Sequence, residues 1–483
     1  MIRITTALVL GALLYLPPAP AAELTDCRIS AGDGAQSFAA RCIDFERPLN
    51  PDEPDGETIT LRVAVVPALS LEPEADALVP IAGGPGGSSV DFYASWAHAF
   101  ERVRHKRDIL LVDQRGTGES APMNCEGDDE FVEGAFSPEE TVSAMQECLD
   151  ALPHDPRFFT TSIAVRDLEA VREALGYDAL NLYGASYGTR VAQHYARRYP
   201  DTTRTIVIDG VVPPQHSFVP EIATESQRAI DRVLGRCAAD ADCSERFPAI
   251  HEDFRRLRDT LADGAVTVAF TNPVTGKPET LEFGEAHMAS AVRLLLYSAR
   301  SIALLPLIIN EAANGNYAPL AAQFRLAVGS MADALAIGMH NAVMCTEDAP
   351  FIDLDTIDRS ALEASYLGPM QLDAIMAMCS IWPQGPMDDS LLTPLATDIP
   401  VLLLSGDADP ITPPRYAELA AVDLENAWLL TGKNQGHGLG AVGCTPRIVG
   451  EFVDAMKLED DTADCLDENF AMPFFLDYSG PMP

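Results

Sequence analysis

The pentapeptide Gly184-Ala185-Ser186-Tyr187-Gly188 sets a serine between small residues. It follows an apolar run at 179–183 and opens an amphipathic stretch at 189–199 that stops before Pro200. A serine on a tight strand-to-helix turn exposes its hydroxyl above a sheet, and only small neighbours fit such a turn. The chemistry open to it is nucleophilic attack. A serine hydroxyl is a weak nucleophile at its own pKa, so it needs a base, and the base needs an orienting acid.

Nine histidines could serve as the base. In strand–turn–helix serine enzymes the acid and then the base follow the serine along the chain. His98, His105 and His154 precede Ser186, and His194 lies in the helix leaving the turn. His216, His251, His287 and His340 fall in or beside a helical block. His437 comes late, in Gly436-His437-Gly438, just past the apolar run 427–431. A loop histidine flanked by glycines is free to swing over the serine. The acid belongs at the end of the preceding strand, where Ser405-Gly406-Asp407-Ala408-Asp409-Pro410 follows the run 401–404. Asp409 is favoured over Asp407, because it sits deeper in the loop and Pro410 stiffens the turn beyond it.

An oxyanion needs two backbone N–H donors. One is expected from Tyr187, directly after the serine. The other is expected from Ala82-Gly83-Gly84-Pro85-Gly86-Gly87-Ser88, after an early apolar run. Phosphate binding is the competing use of a glycine-rich loop. No Gly-Lys-Ser/Thr follows this one, and its pattern is not G-x-G-x-x-G.

Parallel strands must hold these pieces at one edge. Apolar, β-branched runs at 61–66, 77–82, 108–112, 179–183, 205–208, 400–405 and 427–431 read as buried parallel strands. Helical patterns at 163–175 and 189–199 lie between them, the first stopping at Gly176. The expected fold is therefore α/β, a mostly parallel doubly wound sheet. From 215 to 397 the chain reads mainly helical, with long stretches at 284–298, 302–313 and 320–344. A hairpin at 266–270 and 280–283 interrupts them. The expected organisation is a core from 23–214 and 398–483, with an inserted helical cap at 215–397.

The remaining sequence bounds the environment. Arg3, the short apolar run 7–16, two prolines and Ala19-Pro20-Ala21-Ala22 predict a cleaved signal peptide over residues 1–22. The apolar run is too short to span a bilayer, so no stable membrane insertion is expected. Ten cysteines, all beyond it, suit an oxidising compartment. Proximity couples Cys27 with Cys42, Cys125 with Cys148, Cys237 with Cys243, Cys345 with Cys379 and Cys444 with Cys465. Acidic residues number 72 against 33 basic, a net charge of −39. That surface repels phosphate backbones and anionic lipid, which argues against nucleic-acid partners.

Together the motifs resemble the proline iminopeptidase and tripeptidyl aminopeptidase group of α/β-hydrolases. Gly83–Ser88 is similar to that group's oxyanion loop, and Asp113-Gln-Arg115-Gly-Thr-Gly-Glu-Ser120 to its second signature. Gly406-Asp-Ala-Asp409-Pro-Ile-Thr-Pro413 is similar to its acid loop. Cys345, Cys379 and Trp382-Pro383 resemble the cap-to-core stretch of the secreted tripeptidyl type. One departure is Ala82, where the more usual loop has histidine. The resemblance implies Ser186, Asp409 and His437 as a catalytic triad and Gly84 as the second oxyanion donor. It implies an exported serine exopeptidase for small peptides with a free N-terminus, needing no metal or organic cofactor. Such an enzyme needs a negative group for the substrate ammonium, and Glu347 and Asp348 are the candidates. Asp113 and Arg115 are expected to form an ion-pair scaffold beneath the oxyanion loop. The alternatives are a carboxylesterase or lipase on the same machinery, and a non-catalytic binding protein. Oligomeric state is not legible.

Overall fold

The computed structural model describes residues 23–31, 36–125, 138–459, 461–468 and 471–480. The signal-peptide expectation lies outside them. Nine strands form one sheet in the order β1-β2-β3-β5-β4-β6-β7-β10-β11. They are β1 (Thr25–Ser30), β2 (Ser37–Pro48), β3 (Thr58–Val66), β4 (Asp76–Ile81), β5 (Ile109–Val112), β6 (Ala179–Ala185), β7 (Thr203–Asp209), β10 (Val401–Gly406) and β11 (Ala427–Gly432). From β5 to β11 every pairing is parallel. From β1 to β5 every pairing is antiparallel. The run at 61–66 is thus an antiparallel strand, not the parallel one expected, and it joins an antiparallel edge to a parallel centre.

Both faces of the central strands are covered, which explains their unbroken apolar sequences. Val401 and Leu403 pack on one face with Leu180, Leu182, Ile206 and Ile208. Leu402 and Leu404 pack on the other with Tyr183, Val207 and Phe452. Each such side chain withdrawn from water contributes about 1.5–3 kcal/mol. The helix Thr161–Leu175 ends in a left-handed Gly176, φ +78°, as its sequence predicts.

Between β7 and β10 the chain leaves the sheet and builds the inserted, mainly helical cap. Its hairpin, β8 (Val266–Thr271) with β9 (Pro278–Phe283), forms a separate two-stranded sheet. Its own core gathers Val292, Leu296, Ile308 and Phe324, and Ala408 and Ile411 of the acid loop join it. The cap is therefore seated on one of the loops that carries chemistry. The helix expected at 320–344 is broken: Ala318–Ala334 ends and Ile337–Val343 begins after Ala336. There the cap backbone turns extended and binds the glycine-rich loop. Ala336 N–H donates to the Gly86 carbonyl at 3.0 Å, and Leu335 bridges Gly87. Tertiary hydrogen bonding overrides the local helical preference.

All ten cysteines are paired in the five couples that proximity suggested. Among the described residues no helix is long and apolar enough to cross a membrane.

Candidate active site

Ser186 stands at the end of β6, where the helix Tyr187–Arg198 begins. Its backbone is at φ +54°, ψ −122°, a left-handed conformation uncommon for a residue with a side chain. The turn is held by its neighbours. Ser186 N–H donates to the Asp209 carbonyl at 2.8 Å, and the Ser186 carbonyl accepts from Thr189 N–H at 2.9 Å. A side chain on Gly188 would put Cβ 2.3 Å from the Ile81 carbonyl, and one on Gly184 would meet the Gly188 carbonyl at the same distance. Alanine at 188 is therefore expected to push the elbow off β4. The overpacking costs about 1–3 kcal/mol, and a displaced nucleophile loses about 100-fold in rate. A urea melt and a chromogenic ester assay would read both. Full activity in Gly188→Ala would refute this account of the turn.

The glycine-rich loop is pressed against the same serine. A Cβ on Gly83 would lie 2.8 Å from the Ser186 Cβ and 3.5 Å from its Oγ. Gly84 adopts φ +114° ahead of a cis bond to Pro85. Tyr187 is the first residue of its helix, so its N–H has no intrahelical acceptor.

Asp409 and His437 meet. The Asp409 Oδ2 lies 2.7 Å from His437 Nδ1, while Asp407 turns away to the Asn434 N–H and Arg232. Asp409 is itself fixed, its Oδ1 accepting from Ile411 and Thr412 N–H and its Oδ2 from the Thr412 hydroxyl. An acceptor on Nδ1 makes that nitrogen the N–H and leaves Nε2 with its lone pair. Burial pulls the His437 pKa down, but the charge and hydrogen bond of Asp409 outweigh it, and the net shift is upward.

The histidine loop is held from two sides. His437 N–H donates to the Tyr297 carbonyl of the cap at 2.9 Å, and the two rings meet edge-on at 5.0 Å. Next in the chain, Leu439 and Gly440 donate their N–H groups to the buried Asp209 carboxylate. Gly210, left-handed at φ +67°, leaves room for the ring, since a Cβ there would come 2.9 Å from His437 Cε1. The segment Asp209-Gly210 thus touches both Ser186 and the His437 loop. Sequence reasoning passed over it, although a carboxylate and a glycine closing a buried strand were a readable sign.

Glu347 and Asp348 require a correction. Both are buried, each 1% exposed, and bound to the segments that flank the elbow. Arg190 donates to Asp348 through both terminal nitrogens, at 2.7 and 2.9 Å. Glu347 accepts from Thr161 N–H at 2.7 Å and from its hydroxyl at 2.8 Å, and that hydroxyl also meets the Tyr187 hydroxyl at 2.6 Å. Burial raises the Glu347 carboxyl to about 7. A carboxylate tied to a buried guanidinium, and one held near neutrality, are poor receptors for a substrate ammonium. Their work is to join the cap to the helix that carries the serine.

The expected pairing of Asp113 with Arg115 is also revised. Asp113 accepts from the Ser88 hydroxyl and from Val90 and Glu119 N–H, holding the chain just beyond the glycine-rich loop. Burial raises its carboxyl to about 6. Arg115 points elsewhere, to Asp167 at 2.7 Å. Both residues are structural, with different partners.

Fold and site together define a serine hydrolase of the α/β-hydrolase fold. Residues 76–267 match the family model described as alpha/beta hydrolase fold. More narrowly, residues 364–465 match the model described as TAP-like protein. It is 27% identical over 444 residues to the serine protease Hip1 of Mycobacterium tuberculosis, covering 84% of this chain and 82% of that one. It is 31% identical over 197 residues to the tripeptidyl aminopeptidase of Streptomyces lividans, covering 36% and 35%. It is 32% identical over 247 residues to the carboxylesterase B of Mycobacterium tuberculosis, covering 47% of each.

Proposed function

We propose that this protein is an exported serine exopeptidase that releases N-terminal residues, one to three at a time, from small peptides. The Asp409–His437 contact at 2.7 Å, beside a strained serine elbow and beneath a cap, carries the reading. Similarity to a serine protease along most of the chain, and the TAP-like match, favour a peptide substrate. Five disulfides favour an oxidising compartment.

In this mechanism Ser186 Oγ attacks the scissile carbonyl while His437 Nε2 takes its proton. Asp409 holds the tautomer and stabilises the imidazolium. The N–H groups of Gly84 and Tyr187 receive the oxyanion. His437 then gives the proton to the leaving amine as the C–N bond breaks, which leaves an acyl ester on Ser186. Water, deprotonated by His437, hydrolyses that ester and restores the hydroxyl.

The test is a panel of free and N-acylated Pro-, Ala- and Ala-Ala-Pro-anilides with a butyrate ester. Cleavage of free-amine anilides alone is the expected result, and the best substrate gives the number of residues released. Cleavage of the ester alone would favour the second reading, a carboxylesterase, which the likeness to carboxylesterase B supports. Whichever substrate is used, the base works as neutral imidazole. Because the His437 pKa is raised, kcat/KM is expected to rise through a pKa above the ordinary histidine value. Asp409→Asn removes the counter-charge and should move that limb to lower pH. A limb that stays in place would assign it to another group.

A further inference from the structure

In a chain with 72 acidic and 33 basic residues, a buried guanidinium has carboxylates close at hand. Arg107 binds Asp76 and Asp454, Arg115 binds Asp167, and Arg190 binds Asp348. Arg293, like Arg236, is a half-buried guanidinium with no carboxylate partner among the described residues. It lies on the cap helix Glu285–Leu295. Among the described residues it makes no ion pair, and its Nε is buried with no hydrogen-bond partner. One terminal nitrogen donates to the Tyr297 hydroxyl at 3.2 Å, and the guanidinium lies 5.8 Å from the centre of the Tyr297 ring. Tyr297 is the residue whose ring and carbonyl pack on His437. The positive charge of Arg293 is also felt by His437 and by His340, whose Nδ1 lies 3.2 Å from the Pro85 carbonyl in the glycine-rich loop. Arg293 thus stands in the cap behind Tyr297, one side chain removed from His437, with its Nε unpartnered among the described residues.

The side of the nucleophile on which it stands follows from the chemistry. The imidazolium hands its proton to the leaving group, so the leaving fragment lies beside His437. We propose that Arg293 is the receptor for a carboxylate on the leaving fragment, carried either by its C-terminus or by an acidic side chain near the scissile bond. The guanidinium lies 5.8 Å from the Tyr297 ring, and that ring lies 5.0 Å from the His437 ring; at about 3.5 Å per residue, such a carboxylate belongs within about three residues beyond that bond. A terminal carboxylate and an acidic side chain at that place offer the same chemistry. A guanidinium held by a tyrosine ring recognises either through paired N–H donors. The proposal rests on the serine-hydrolase mechanism and takes its peptide form from the exopeptidase reading.

The test compares Ala-Ala-Pro-Ala-Ala as the free acid, the same peptide as its C-terminal amide, and Ala-Ala-Pro-Asp-Ala as its amide. The mature chain is expected to favour a carboxylated form over the plain amide by about tenfold or more in kcat/KM. Preference for the first peptide identifies the terminal carboxylate as the ligand, and preference for the third an acidic side chain. Arg293→Gln should bring the ratio close to one, and Arg293→Lys should keep part of it. Equal rates on all three peptides in the unaltered protein would overturn the proposal, as would a preference that survives Arg293→Gln. The unaltered protein alone can therefore refute it, whether or not a variant folds. Butyrate esters of glycolic acid and of glycolamide supply a second arm. If no peptide is cleaved, the exopeptidase reading fails. The glycolate-to-glycolamide ratio still decides whether Arg293 receives a carboxylate.

Discussion

Ser186→Ala is expected to lower kcat by about 10⁴- to 10⁶-fold and to abolish labelling by a fluorophosphonate probe. The hydroxyl is the attacking atom in the proposed mechanism. The loss should be non-additive. Once the hydroxyl is gone His437 has no proton to take, so His437→Ala in the Ser186→Ala background should cost little more. Stability should behave differently from rate. Alanine keeps a Cβ at φ +54°, so Ser186→Ala leaves the melting temperature near its starting value. Ser186→Gly has no Cβ to strain there and should stabilise the fold by about 1 kcal/mol. A variant without the hydroxyl that kept more than 1% of the rate would remove Ser186 from its role.

The sequence made the chemistry legible where one residue's neighbours in the chain are also its neighbours in space. Ser186 and its flanking glycines are such a case, since the turn itself demands the small residues. His437 and Asp409 were legible for a related reason: each sits on a loop just past a strand whose apolar run marks it. The central strands β4 to β7 and β10 announced themselves because both faces are buried, whereas the edge strand β11 was legible from its apolar run although most of it is half-buried or exposed. The outer strands β1 and β2 did not. Most of their side chains are exposed or half-exposed, and charged residues are interspersed among them, so no apolar run betrays them. Partners across the fold were harder still. Asp113 and Arg115 are two residues apart, yet they bind different partners. The true partner of Arg115 lies 52 positions away. Arg293 on an amphipathic helix reads as an ordinary surface charge, and its lack of a carboxylate is visible only when the cap is folded over His437.

The same limit explains the error over Glu347 and Asp348, and it sets up the second large effect. Asp348→Ala is expected to destabilise the fold by about 3–5 kcal/mol, because it strands the Arg190 guanidinium in the interior. Arg190 is 2% exposed, and its Nε already has no hydrogen-bond partner, so water does not reach it readily. Glu347 lies 3.9 Å away and could take over only in part, by ionising and loosening its hold on Thr161. Arg190 is one helical turn beyond Ser186, so the disturbance reaches the elbow and kcat should fall with stability. A substrate-ammonium receptor would behave otherwise: KM for free-amine peptides would rise while the melt stayed in place. The two accounts separate further in a double variant. If the cost of Asp348→Ala is an uncompensated charge, Arg190→Met with Asp348→Leu removes that charge and fills the space. It should recover most of the lost stability. A pair that remained as unstable as Asp348→Ala would show that the carboxylate does something other than neutralise Arg190. Urea melts of the two variants and the unaltered chain at one pH would settle it.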